Sequence, residues 1–505
     1  MKTKLFILAA LNLFVCSYLL GQNITNTLGT GGVFSIKDGS TTYLTLFQSD
    51  GLVGIANNLT LTETPGSETG ILFKGADRFL HTFHPSSTDG YNTFLGLNSG
   101  NFTLTGSGPQ ASYNTGIGSY SLSALSSGSR NSAFGYNSLL SNSSGLQNSA
   151  FGYNSLYSNT TASYNSAFGS FSLRSNTTAG YNSAFGYSSL FSNTSGTNNS
   201  AFGYNSLNSN TTAHFNSAFG NFSLNSNSAG EHNSAFGYYS LYNNTLAFYN
   251  SSFGSLSLLS NTIGSFNSAF GYSTLYSNST GTQNSAFGYS SLYSNSGGYG
   301  NSAFGYNSLY STTGYNNTAI GDHAGFYITT GSNNIAIGYN AQIFDGTYSN
   351  LVRIGNTGVT YASIQVAWSV TSDKRWKKNI TPIKPGLDFI SKLNPVSYTR
   401  ISDDPESPWE KTEYGFIAQE IEGVLKELNI DKSGMVAIDS EGRYELRYND
   451  LFAPITKAIQ ELKQENDELK TEIEFLKNQN KKLAELELLY QKLSEKIENI
   501  KVSGK

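Results

Sequence analysis

Asn131-Ser132-Ala133-Phe134-Gly135-Tyr136-Asn137-Ser138-Leu139 is the stretch that decides the fold, because it does not occur only once. Its central glycine recurs fifteen times between Gly118 and Gly355, every step being 17 residues except one of 16. Within the unit Ser, Phe and Tyr alternate with Ala, Gly and Asn at period two, which predicts a strand with an aromatic face and a small-residue face. The next stretch, of the type Leu-Tyr-Ser-Asn-Thr-Thr-Ala-Gly, supplies the turn back. Stacking such units in register pairs each strand with its neighbours and ladders identical side chains, which describes a β-solenoid or β-roll. If each repeat climbs one rung, fifteen rungs make a rod of roughly 70 Å; if three chains interleave, each repeat spans about three rungs and the rod nears 200 Å.

The edges of the array are looser. Asn92-Thr93-Phe94-Leu95-Gly96 precedes it, and the last members read Asn334-Ile335-Ala336-Ile337-Gly338 and Leu351-Val352-Arg353-Ile354-Gly355. Atypical ends are what stacked repeats need to cap their open faces. Composition agrees with a repeat fold: 52 Gly, 33 Tyr and 32 Phe but only 9 Pro in 505 residues would read as a low-complexity tract were they not periodic. Upstream, residues 23–91 read as a β module, with strands expected at Gly32–Ile36, Tyr43–Phe47 and Leu52–Ile55 between the turn signals Asp38-Gly39 and Asp50-Gly51. Residues 1–22 carry Lys2 and Lys4, an apolar run to Leu20 and then Gly21-Gln22, the pattern of a secretory signal cleaved near Gln22. An N-terminal membrane anchor is the alternative, but the run is short for a spanning helix. The sole cysteine, Cys16, falls inside that run, so the mature chain is expected to have no thiol or disulfide and no stable membrane span.

The repeat unit resembles the head repeats of trimeric autotransporter adhesins, whose commoner form is Asn-Thr-Ala-Ile-Gly-x-x-Ala. The resemblance covers about residues 92–355 and departs from the pattern in having Phe at the β-branched core position and a longer period. It implies a trimeric, surface-exposed rod and names no ligand; a surface glycan or protein ligand stays open. Asn-x-Ser/Thr sequences abound, as composition alone produces them in a repeat of Asn, Ser and Thr.

Everything changes at Ser372-Asp373-Lys374-Arg375-Trp376-Lys377-Lys378-Asn379-Ile380. Residues 369–505 hold 22 of the 30 Lys+Arg and 25 of the 34 Asp+Glu, which marks a physically different second part. Val359–Trp368 alternates like a final strand. Beyond it the pattern turns α+β: a short Pro-started helix at 385–393, a strand at Val396–Arg400, a helix following Glu413–Glu422 and a strand at Arg443–Tyr448.

Five ordered blocks within 372–463 resemble the intramolecular chaperone domain that ends phage tail-spike endosialidases and related fibre proteins. They are Ser-Asp-x-Arg-x-Lys-x-x-Ile at 372–380, Gly386-Leu387-Asp388, Leu393–Tyr398, Gly415–Glu420, and Tyr448-x-x-Leu451 followed by Ala458–Leu462. That family's domain trimerises, helps the upstream fibre fold and cuts itself off before the serine. Carried onto this chain, the resemblance implies a scissile bond Thr371-Ser372, Ser372 as nucleophile and Lys377 as base, in one intramolecular event. A serine hydroxyl needs a base to take its proton, and a lysine amine does so only when neutral, a form favoured by desolvation or by neighbours such as Lys374, Arg375 and Lys378. Five residues apart, the two side chains do not share a helical face, so a turn or a neighbouring subunit must join them. The alternative is a domain that trimerises without cutting, with Ser372 a cap or turn residue and Lys377 a solvated charge.

From Ile455 onward the chain is heptad-patterned through Ile459, Leu462, Asn466, Leu469, Ile473, Leu476, Asn480 and Leu483, then, after one stammer, Leu486, Tyr490, Leu493, Ile497 and Ile500. This predicts a coiled coil. Ile and Leu with buried Asn favour two strands by rule, whereas both resemblances imply three; a homotrimer is the expectation. The reading divides the chain into a signal (1–22), a β module (23–91), a mostly β solenoid (92–360), a connector (361–371), an α+β chaperone and self-cleaving peptidase domain (372–457) and a coiled coil (458–500).

Other classes fall away. The net charge of −4 and the absence of a basic patch argue against nucleic acid. His81, His84, His214, His232 and His323 are scattered without metal-ligand spacing, so no metal or cofactor is expected. A glycosidase needs paired carboxylates, and Glu231, Asp322 and Asp345 are the only acids between 131 and 352. The reading is a secreted or cell-surface fibre that matures by self-cleavage, or else an adhesive surface protein that keeps its stalk.

Overall fold

The computed structural model describes residues 33–38, 41–47, 53–55, 61, 70–343, 345–359, 362–366, 369–399, 411–430, 433–438 and 442–502. The expected signal at 1–22, with Cys16, lies outside them. Val33–Asp38, Thr41–Phe47 and Val53–Ile55 form an antiparallel three-stranded sheet.

The solenoid begins where the hairpin Leu72–Lys74 and Asp77–His81 lies antiparallel to Thr93–Leu95. From there to Val352–Ile354, sixteen three-residue strands among the described residues pair parallel, each with the next. Identical positions face one another, as in Ser132↔Ser149, Ala133↔Ala150 and Phe134↔Phe151. Both partners belong to one chain one repeat apart, so each repeat is one rung and the rod is about 70 Å long; chains do not interleave within a rung.

Each rung has a narrow interior. Ala133 and Leu139, with their equivalents in the other rungs, are fully buried, while Ser132 and Phe134 are half-buried on the outer face. The Phe position that the adhesin pattern treats as core is therefore an outward one. A three-residue strand followed at once by turns leaves room inside for a methyl group and one leucine, and a ring enters only at the first rung, where Phe94 faces Gly116. The rings instead stack up the outside from Phe134 to Phe304, with centroids 4.5–5.0 Å apart and planes within 7°.

The turns are strained and held by the stack. Leu139 sits at φ 51°, a left-handed conformation that costs a leucine roughly 1–2 kcal/mol. Burying its side chain returns about 1.5–3 kcal/mol, so the strain is tolerated. Glycine is required at 135 (φ 129°), because a Cβ there would lie 2.5 Å from the carbonyl oxygen of Gly152 in the next rung.

The polar interior is closed by two asparagine ladders. In the first, the backbone N–H of Asn148 donates to Asn131 Oδ1 at 3.0 Å, and Asn148 Nδ2 donates to Ala162 O at 2.8 Å. In the second, Asn159 Nδ2 donates to Asn142 Oδ1 at 2.8 Å. The second ladder ends in the 16-residue repeat, where Thr312 takes the ladder position and Asn295 Oδ1 is left without a hydrogen-bond partner.

Beyond Val352–Ile354 the expected strand at 359–368 is not formed by any described residue of that range. Leu351, Val352 and Ile354 are exposed there, and no described strand pairs with the outer edge of Val352–Ile354. The C-terminal part comprises a short helix Leu387–Ile390, antiparallel pairs Val396–Tyr398 with Glu413–Gly415 and Val436–Ile438 with Tyr444–Leu446, a helix Ala418–Glu427, and a 51-residue helix Phe452–Val502. Its core gathers Phe389, Ile421, Leu425, Met435 and Leu451. Glu461 fixes the short helix against the long one, accepting from the Leu387 N–H at 2.6 Å. From Leu462 to Ile500 every residue of the long helix is exposed. No helix among the described residues is long and apolar enough to cross a membrane.

Candidate functional site

The segment that carries Ser372 and Lys377 folds back on itself in a single 3₁₀ turn, Lys374–Trp376. Asp373 starts it. Its carboxylate accepts from the Arg375 N–H at 2.8 Å, capping the turn, and the same carboxylate receives the Arg375 guanidinium through Nε at 3.0 Å and a terminal nitrogen at 2.6 Å. The turn closes with the N–H of Trp376 on Asp373 O and of Lys377 on Lys374 O, both at 3.1 Å. The backbone then leaves in an extended conformation at Lys377 (φ −115°, ψ 136°).

The consequence is the contact that spacing alone could not supply: Lys377 Nζ donates to Ser372 Oγ at 2.7 Å. The turn brings the two together within one chain. Thr371, whose carbonyl precedes Ser372, is exposed, as are Ser372 and Lys377.

Electrostatically the turn is cationic, but Arg375 is matched. Hydrogen bonds from the Arg375 side chain and backbone hold the Asp373 carboxyl below its usual range, and Asp373 in turn raises Arg375. Of the three cations that flank Lys377 in sequence, Arg375 is thus matched by Asp373 within the turn. The sequence reading gave Asp373 no role. The signal was present in the Asp-x-Arg spacing directly after the serine, since a residue that caps a turn accepts from the N–H two positions on.

Apolar side chains flank this charged turn without being covered: Trp376 is 82% exposed and Ile380 62%. Farther along the same part, Tyr414 is 84% exposed. Chemically, the arrangement offers a hydroxyl beside an amine at proton-transfer distance, next to an accessible peptide carbonyl.

Residues 372–430 match the protein family described as Chaperone of endosialidase, the match beginning at Ser372 itself. Comparison with curated proteins and with solved structures gave no match.

Proposed function

We propose that the chain is an exported, trimeric surface fibre whose C-terminal part registers three chains, seeds the stacking of rungs and then severs itself at Thr371-Ser372. The contact between Lys377 Nζ and Ser372 Oγ carries the cleavage reading. The family match at 372–430 supports the intramolecular chaperone role.

The chemistry needs no other group to supply the nucleophile. Lys377, as the free amine, takes the Oγ proton; Oγ attacks the Thr371 carbonyl carbon, the C–N bond breaks, and the proton passes to the departing Ser372 nitrogen. Water then hydrolyses the ester to leave a Thr371 carboxylate and a new N-terminus at Ser372. In a single chain both side chains face water. Assembly that covers the turn, using the exposed Trp376 and Ile380, withdraws the amine from water and so ties cutting to trimer formation.

Trimerisation itself rests on surfaces that one chain leaves uncovered. The exposed stripe Ile459, Leu462, Leu469, Ile473, Leu476 and Leu483 follows heptad spacing on the long helix. A second reading, an uncleaved adhesive stalk, is favoured by the exposure of both Ser372 and Lys377.

Intact mass under denaturing conditions separates them. The parent chain is expected to split between Thr371 and Ser372, while Ser372→Ala and Lys377→Ala stay whole. A parent that remains whole after forming its trimer overturns the cleavage reading and leaves the stalk.

A further inference from the structure

Position by position, the rungs are not equivalent on their outer face. The residue two after each central glycine is large in several middle rungs: Phe171, Phe222, Tyr239 and Leu256. There its side chain fills the space above the following turn; Phe222 stacks on Tyr239 at 4.9 Å, and Tyr239 packs against Tyr242 at 4.7 Å. In three successive rungs the same position is Ser273, Ser290 and Asn307, whose short side chains lie low, the two serines buried, and leave the space above them unfilled.

What remains is a trough of about 570 Å³ running along the rod, ended by Leu256 and Phe326. One wall is the ladder Tyr272, Tyr289 and Tyr306, nearly half exposed, with centroids 5.2 Å apart. The other is Tyr276, Tyr293 and Tyr310, half-buried, at 4.9 and 5.0 Å. No Asp, Glu, Lys or Arg lines it. Within each wall the rings lie face to face, tilted by 3–16°, so their faces are closed and the trough presents ring edges and phenolic hydroxyls.

The period decides what such a surface can read. An extended peptide repeats its side-chain direction every ~6.8 Å, out of step with rungs spaced by ~4.8 Å. One hexose in an extended β-1,4-linked chain is about as long as one rung, and although successive sugars face opposite ways, the chain repeats every two rungs and so stays in step with the ladder. We propose that this trough binds an extended, neutral, β-1,4-linked hexose polymer along the fibre axis. Burial and the neighbouring phenols raise the Tyr293 hydroxyl above its usual range, which keeps it a hydrogen-bond donor through mildly alkaline pH.

The test is isothermal titration of the full chain with cellohexaose, mannohexaose and chitohexaose, against cellobiose as the short control. At least one hexamer is expected to bind ten or more times more tightly than the dimer, since it spans all three rungs. Tyr293→Ala should weaken it at least tenfold, and Tyr153→Ala, outside the trough, should not. Ser290→Phe should abolish binding while leaving the fold intact, because Phe222 occupies the equivalent position in its own rung at φ 59°. Failure of all three hexamers to bind, or binding that Ser290→Phe leaves unchanged, overturns the proposal. So does a Ser290→Phe chain whose sedimentation shows a lost assembly, which would make the trough a contact between copies.

Discussion

The solenoid and the C-terminal part answer one question in opposite ways: where a chain finds partners for its backbone and its apolar side chains. In the solenoid the partners lie about one repeat away in the same chain, from the strand pairings to the asparagine ladders and the stacked rings. In the long helix the backbone is satisfied within one turn, but from Leu462 to Ile500 no side chain is covered. The difference concerns folding as much as stability. A three-residue strand is worthless until its neighbour exists, so the first rungs close loops before anything repays the entropy. The helix forms locally, yet an exposed apolar stripe gains little until it meets another. The part that is complete alone cannot easily start, and the part that starts easily is incomplete alone, which is the division of labour a chaperone segment requires.

The sharpest way to break that comparison is to remove one rung's internal partner. The Asn199 N–H donates to Asn182 Oδ1, its Nδ2 donates to Ala213 O, and its Oδ1 accepts from the Asn216 N–H. Asn199→Ala strands the Asn216 N–H inside the rod, at about 1–3 kcal/mol, and leaves a cavity, while Ala213 O keeps its bond from Asn210 Nδ2 at 3.1 Å. A loss of roughly 2–4 kcal/mol is expected in denaturant unfolding, with the rungs on either side losing hydrogen-exchange protection together. A loss below about 1 kcal/mol would mean the ladder is filled by water rather than by itself, and the solenoid would not be self-sufficient.

The next effect lies at the solenoid's N-terminal end, where the pairing switches from parallel to antiparallel. His81 is buried between Phe94 and Phe102, donates from Nε2 to Ser99 O at 2.8 Å and accepts the Phe83 N–H on Nδ1. That arrangement needs the neutral ring, and burial pushes the imidazole down to about 4 from 6.5, helped by Arg78 and opposed by the Ser99 bond. The unfolded chain therefore takes up the proton first as pH falls. Stability from this group is intact above pH 6.5, declines between 6.5 and 4, and falls no further below, by at most about 3 kcal/mol. Thermal unfolding of the parent and of His81→Phe across this range should diverge by that amount. Parallel profiles would show that His81 stays in contact with water and that the end of the rod is looser than its middle.

Much of this was legible because the chain repeats. The 17-residue glycine period set the rungs, and the looser outer members marked the ends. The direction of the Phe ring was not legible, since period-two alternation says that two faces differ but not which one is inside; interior width, set by how soon the chain turns, decides that. Three left-handed residues in a rung, such as Asn137, Leu139 and Gln147, were hidden for the same reason: only stacked neighbours hold a leucine or glutamine at positive φ. At the candidate site the identities Ser372 and Lys377 came from an ordered motif, but their approach depends on Asp373 and Arg375, whose part in it is geometric. No described residue forms the strand expected at 359–368, because alternation records a capacity to pair and not the pairing itself.

The smallest effect concerns the ion pair that joins the two parts. Arg353, on the last strand of the solenoid, meets Glu445 of the C-terminal hairpin at 3.4 Å, and the Glu445 side chain is 58% exposed. An exposed pair at that distance is worth about 0–1 kcal/mol and is screened by salt. Glu445→Gln should therefore move the unfolding midpoint by less than about 1 kcal/mol. The pair would matter more in a chain cut at the proposed bond. If the peptide bond at Thr371 is the main tie between fibre and chaperone, the C-terminal fragment of a cleaved parent elutes apart from the fibre on gel filtration at physiological salt, and Glu445→Gln changes nothing. Co-elution that is lost in Glu445→Gln or at high salt would make this pair a latch, and the contrast between a self-sufficient rod and a detachable clamp would have to give way to one continuous structure.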